Sequence, residues 1–154
     1  MTLAGKTSAV VSDVGAGIKT WFVVRASDQA GNFDANVVEV SAQTPNVGFT
    51  NDVWPIFQST CTSAGCHGGA HPAEGMDLGT ASAAWVALVS VASPECGTMS
   101  IVTPSSPNAS YLLQKLRGWG TCFVGWQMPE QASPLTSAQI DVVSAWIGKG
   151  APVD

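Results

Sequence analysis

The sequence predicts a mainly α-helical domain over residues 45–154, preceded by a small antiparallel β module over residues 1–44. Three observations carry this. First, of 154 residues 45% are hydrophobic and only 11% charged, against a usual charged share of about 25%, so the chain is globular rather than disordered. Its length suffices to bury roughly 70% of the unfolded surface. Second, two patterning regimes meet at Thr44-Pro45-Asn46-Val47-Gly48. Third, residues 136–148 read as an amphipathic helix with a start and a stop signal.

In the N-terminal regime, apolar and polar residues alternate over 8–14, 20–26 and 36–42. Each run is rich in Val, Thr or aromatic residues and is bounded by Gly, Asp or Asn, which predicts three strands joined by turns. Gly15-Ala16-Gly17 separates the first two, and Asp28-Gln29-Ala30-Gly31-Asn32 the second and third. Three strands leave one sheet face without a partner layer, so the module is expected to lean on the second domain or on a neighbouring chain.

Four helices are predicted after Pro45. Thr50 or Asn51 caps the first, which runs through Val53, Trp54, Ile56 and Phe57 with Pro55 in its opening turn. The second covers about 80–89. The third, 109–117, carries Tyr111-Leu112-Leu113 and Leu116 and stops at Gly118. In the fourth, Thr136 or Ser137 is the cap and Leu135 the staple. Ile140, Val143, Trp146 and Ile147 form its stripe, and Gly148 and Gly150 end it.

Charge narrows the partners. Six Lys+Arg against eleven Asp+Glu give a net charge of −5, which argues against nucleic acid, since phosphate binding needs a basic face. No stretch approaches the roughly 20 apolar residues of a membrane span. The start, Met1-Thr2-Leu3-Ala4-Gly5-Lys6, lacks the basic and apolar regions of a signal peptide.

The chemistry concentrates at Cys61-Thr62-Ser63-Ala64-Gly65-Cys66-His67. A Cys-x-x-Cys-His run attaches c-type haem: both thiols bond the porphyrin and the adjacent histidine ligates the iron. Here the thiols are five positions apart, which on a regular helix separates them by about 140°. The small residues between them therefore predict a bulged loop. The same residues have other uses. Cys61 and Cys66 make a plain disulfide in one, and a zinc site with His67 and His71 in another, although adjacent residues seldom both reach one small ion. A redox dithiol prefers two intervening residues.

Downstream stand Gly125-Trp126-Gln127-Met128-Pro129 and the terminal helix ending Ala145-Trp146-Ile147-Gly148-Lys149-Gly150-Ala151-Pro152. With the short helix before Cys61, these features resemble a class I cytochrome c domain over about residues 47–152. The resemblance implies one covalent haem c held by Cys61 and Cys66, with His67 and Met128 as the axial ligands, and first and last helices that cross beside it. It departs in the wide cysteine spacing and in a long insert before Met128. Met76 and Met99 are rival thioethers; Met128 is favoured because Pro129 fixes the backbone beside it. His71 is too near His67 in sequence to reach the opposite face of a porphyrin. Residues 1–44, through Trp21-Phe22-Val23-Val24-Arg25-Ala26-Ser27-Asp28, Ala30-Gly31-Asn32 and Val38-Glu39-Val40-Ser41, resemble the last three strands of a fibronectin type III domain, a truncated sandwich. They lack a corner tyrosine, since the one tyrosine is Tyr111.

Attachment of haem implies export to the periplasm or the exterior, where the leftover pair Cys96 and Cys122 is expected to bridge. The function implied is one-electron transfer by a mono-haem cytochrome, a carrier rather than an enzyme. Its partners are redox proteins, in a larger membrane-associated or extracellular assembly if there is one. Residues such as Trp54, Phe57, Leu112, Trp126 and Trp146 are expected to keep water from the iron. The alternatives are an open-iron haem domain reacting with peroxide or a gas, and a cofactor-free, disulfide-stapled adhesion or structural protein.

Overall fold

Alternation of Thr20 and Phe22 with the more exposed Trp21 and Val23 sets up a strand, and the structure pairs it in a hairpin-like ribbon. In this computed structural model, which describes residue 11, residues 17–130 and residues 132–154, β1 (Lys19–Val23) and β2 (Glu39–Gln43) are antiparallel, with Trp21 opposite Ser41. The strand expected over 8–14 lies outside the described residues, Val11 apart. Every residue of β2 is exposed, as are Trp21, Val23 and Val40. Both strands are shorter than expected because polar side chains take over the intervening backbone. The Ala26 N–H donates to Asp34 Oδ2 (2.7 Å), Asn36 N–H to Asp34 Oδ1 (2.9 Å), and Asn36 Nδ2 to the Val24 carbonyl (2.7 Å).

The first helix begins at Phe49: a wide π turn (Phe49–Val53) passes directly into α1 (Trp54–Thr60), with Pro55 harmless in the opening turn. Neither Thr50 nor Asn51 is its cap. Gly48 holds that position, and the carboxylate of Asp154 accepts the Thr50 N–H at 2.8 Å. A negative charge at a helix N-terminus is favourable there, and it comes from 104 residues away.

α2 (Ala81–Leu88) is capped by Thr80, whose hydroxyl accepts the Ala83 N–H. α3 (Tyr111–Arg117) starts two residues later than expected, after a single 3-10 turn at Pro107–Ala109, and ends at Gly118 in the left-handed conformation (φ 77°). α4 (Ser137–Gly148) opens with a complete capping box between Thr136 and Gln139. Thus four α-helices and one two-stranded antiparallel sheet are formed by the described residues. No helix among them is long and apolar enough to cross a membrane.

One core joins these helices. The Phe49 and Trp146 rings lie 4.8 Å apart, so the first helical segment packs on the last helix. Val53, Phe57, Leu88, Val143 and Ile147 are buried around them. The final residues are tied in by two indoles: Trp85 Nε1 donates to the Ala151 carbonyl (2.9 Å) and Trp146 Nε1 to that of Pro152 (3.0 Å). Between α2 and α3 the long insert is ordered by short backbone bridges, among them Ile101 N–H to the Val91 carbonyl at 2.7 Å.

Candidate functional site

Helix α1 stops where the cysteine motif begins. Cys61 leaves the helical conformation (φ −120°, ψ −17°), and its N–H makes the last bond, to the Phe57 carbonyl. The next residues form the bulge that the spacing requires. Cys66 N–H donates to the Ser63 carbonyl (2.9 Å), His67 N–H returns to the Cys61 carbonyl (2.9 Å), and Gly65 takes φ +86°. Gly68 is needed for closeness: a Cβ there would overlap the Thr62 carbonyl. The loop is then tied to residues 73–78, with Ala73 N–H on the Cys66 carbonyl and Leu78 N–H on that of His67, both at 2.7 Å.

These residues face a cavity of about 680 Å³, lined by Cys61, Cys66, His67 and Met128 among others. The volume is within the usual range of roughly 300–1,000 Å³ for a small-molecule or cofactor site. Cys61 is buried and Cys66 half-buried, and both thiols are free. Burial pushes the Cys61 thiol above its ordinary pKa, although a hydrogen bond with Thr60 pulls the other way. That favours the protonated thiol over a reactive thiolate. His67 Nδ1 is buried without a hydrogen-bond partner among the described residues.

Met128 reaches the cavity from a different direction. Its N–H donates to the Lys115 carbonyl (2.8 Å), and Gln127 Nε2 to the Leu116 carbonyl (2.8 Å), so α3 carries the segment. The Met128–Pro129 peptide is cis. Cys96 and Cys122 are bridged, with Cα atoms 5.9 Å apart, and Cys122 N–H donates to Gln114 Oε1. The bridge therefore fastens the loop before Met128 to the wall carrying Ser93, Pro94 and Glu95.

The rival ligands separate. Met99 turns its sulfur to Gln114 Nε2 at 3.3 Å, whereas Met76 lines the cavity together with Met128. His71 is exposed and is not part of the lining. Among the described residues no three His, Cys, Asp or Glu side chains are grouped to hold a metal ion. The free thiols do not form the plain disulfide. Of the water-excluding residues, Phe57, Leu112 and Trp126 line the cavity; Trp54 and Trp146 do not, and Trp126 is 71% exposed at its edge.

Sequence reasoning missed a polar corner of this cavity. Tyr111 and Lys115, both buried, line it with Glu95. Lys115 Nζ is 3.0 Å from Glu95 Oε2, and the Tyr111 hydroxyl donates to the same oxygen at 2.8 Å. Burial alone would raise the Glu95 pKa, but Tyr111 and Lys115 together hold it below its ordinary value; burial and Glu95 raise that of Tyr111. The available signal was the spacing of four, which puts Tyr111 and Lys115 on one helix face.

No protein-family model, no curated protein and no solved structure matches the chain.

Proposed function

We propose that the chain is a mono-haem c-type cytochrome whose role is one-electron transfer. The observation that carries the proposal is the convergence of Cys61, Cys66, His67 and Met128 on one cavity of cofactor size. The donors suit the group: two free thiols, an imidazole with a buried unpartnered nitrogen, and a thioether from a separate segment. Bound there, haem would supply a reversible one-electron couple, at a potential that histidine–methionine ligation raises.

In this reading Cys61 and Cys66 would hold the group through sulfur, and His67 and Met128 would supply its iron ligands. Phe57 and Leu112 exclude water, which also favours the reduced state. Met128 is preferred to Met76 because the 76–78 segment is bonded to the His67 backbone through Leu78. Met76 thus belongs to the histidine's own wall, whereas Met128 is held by α3. The Cys96–Cys122 bridge supports an oxidising compartment, consistent with export to the periplasm or exterior. The electron donor and acceptor are then redox proteins there.

The test is to produce the exported chain in a host that attaches haem. The expected product carries the mass of one haem and a low-spin spectrum that shifts on reduction and is unchanged by cyanide or carbon monoxide. Met128→Ala lowers the potential and admits cyanide, while Met76→Ala leaves the spectrum low-spin. A colourless chain of bare mass would replace this proposal with the disulfide-stapled structural protein. Cyanide binding to the unmodified chain would replace it with an open-iron haem domain.

A further inference from the structure

A residue that lines the cavity and is also open to solvent stands at its mouth. Ser63, Ala64, Gly65, Glu74, Trp126 and Glu130 meet both conditions. They bring together the motif loop, the turn after Pro72 and the segment on either side of Met128. Trp126 is the large apolar group among them, 71% exposed. Two neighbours on its loop, Trp119 and Val124, are exposed as well.

This apolar surface is held in place. The Cys96–Cys122 bridge fastens the loop, the Val124 carbonyl accepts Lys115 Nζ at 2.9 Å, and Gln127 beside the indole donates to the Leu116 carbonyl. Leaving an indole in water forfeits the free energy that covering it would recover, and a pre-fixed aromatic group loses little entropy when it is covered. Tryptophan is accordingly a frequent energetic centre of protein interfaces.

The charge around it selects the occupant. Lys115 is the one Lys or Arg lining the cavity, and Glu95 and Val124 already take it. Among the described residues the Lys115–Glu95 contact is the sole ion pair, so Glu74 and Glu130 stand at the mouth with no cation paired to them. A second copy of the chain would set carboxylate against carboxylate, with a net charge of −5 on each side. A basic surface is complementary instead.

We infer that the cavity mouth is a docking surface for a redox protein with a lysine- or arginine-rich face. Trp126 packs at the centre of the contact, and Glu74 and Glu130 meet the partner's cations at its rim. The inference rests on the haem reading above and names the chemistry of the electron-transfer partner. The mouth is where the cavity comes nearest to solvent, so a protein exchanging electrons with its contents docks there at the shortest range.

The test takes the full chain from a haem-attaching host, labelled with 15N, and titrates it with a lysine-rich cytochrome c, native or with its lysines acetylated. Salt of about 10 mM leaves charges unscreened over roughly 30 Å. The native probe should shift the amides of residues 63–65, 74–75 and 125–128 while those of α4 and the ribbon stay in place; the acetylated probe should bind about tenfold more weakly or less. Glu74→Gln combined with Glu130→Gln should weaken native binding about fivefold, and Trp126→Ser about tenfold. Glu39→Gln combined with Asp141→Asn removes the same charge from exposed positions elsewhere and should change binding less than about twofold. Equal weakening by the two charge pairs overturns the inference, because attraction would then follow net charge alone. Shifts confined to other surfaces, or no binding by the unmodified chain, overturn it too, and leave the haem reading standing if the sample absorbs as a haem protein. A haem-free sample overturns the haem reading and, with it, the redox nature of the partner.

Discussion

Replacing Cys96 and Cys122 by alanine removes a cross-link between positions 26 apart in sequence. In the chain-entropy account, closing a loop of that length costs the unfolded state about 12 cal/mol/K, or about 3.5 kcal/mol at 25 °C. Cys96 is buried, so its truncation adds a small packing loss of about 1 kcal/mol. The sum, about 4 to 5 kcal/mol, is a large part of the stability of an ordinary domain. For a chain of this size it corresponds to a fall in Tm of about 10 to 15 °C.

Urea unfolding of parent and double variant, each analysed by linear extrapolation, measures the difference directly. The parent unfolded in the presence of a dithiol reductant should approach the variant, since reduction removes the same constraint. The consequence should also be local, because the bridge fastens the loop whose Cys122 N–H bonds Gln114 and whose Val124 carbonyl bonds Lys115. Amide exchange should therefore quicken over residues 119–127 before it does in α4. Loss of less than about 1 kcal/mol, with unchanged exchange in that loop, would refute the reasoning. The polar anchors on α3 would then be fixing the loop alone.

Three other contacts give expected outcomes of their own. Gly68→Ala drives a methyl group into the Thr62 carbonyl and should cost about 1 to 3 kcal/mol in urea unfolding. Its control, Gly97→Ala, where nothing lies within 4 Å, should change stability by less than about 0.5 kcal/mol in the same melts. Thr136→Ala removes the α4 cap, whose hydroxyl accepts the Gln139 N–H, and should lower stability by about 1 kcal/mol in urea. Glu95 has a folded pKa below its unfolded value. Its contribution is thus complete above the ordinary glutamate range, near 4.3, and is lost as pH falls through the folded value. The deficit of Glu95→Gln relative to the parent should therefore shrink between pH 7 and pH 3; a constant deficit in urea midpoints would count against the ion pair.

The legible parts of the fold are those whose cause is local. Helix α4 was readable because its cap, staple and stripe all lie within residues 135–150. The same holds for Gly118 after α3. The cysteine loop was readable too, since five positions of separation exclude a regular helix and the small residues Thr62, Ser63, Ala64 and Gly65 permit a bulge. What escaped was set by distant partners. The first helix starts at Phe49 rather than after Thr50 because Asp154 arrives from the other end of the chain, and no local pattern encodes that. The polar corner was missed for the same reason. Lys115 looks like a solvated helix residue until Glu95, twenty positions earlier, is folded against it. On the ribbon, alternation placed two strands correctly but overran their ends, because Asp34 and Asn36 compete for backbone groups that alternation assigns to the sheet.

Helix α3 explains how a cavity of this size stays organised around so few local constraints. Three consecutive residues, Gln114, Lys115 and Leu116, each accept a hydrogen bond from the segment that leads to Met128: the first from Cys122, the second from Met128 itself, the third from Gln127. Two of those acceptors are main-chain carbonyls near the helix end, which lack an intrahelical partner. Gly118 and Gly120 leave room for this, since side chains there would collide with Gln127 and Gln114. The motif wall is independent of it, closed by bonds among residues 61–78. The two walls, one bearing the thiols and imidazole and the other a thioether and an ammonium, are thus braced separately. A substitution at Gln114 should accordingly disturb Met128 while leaving the cysteine loop intact.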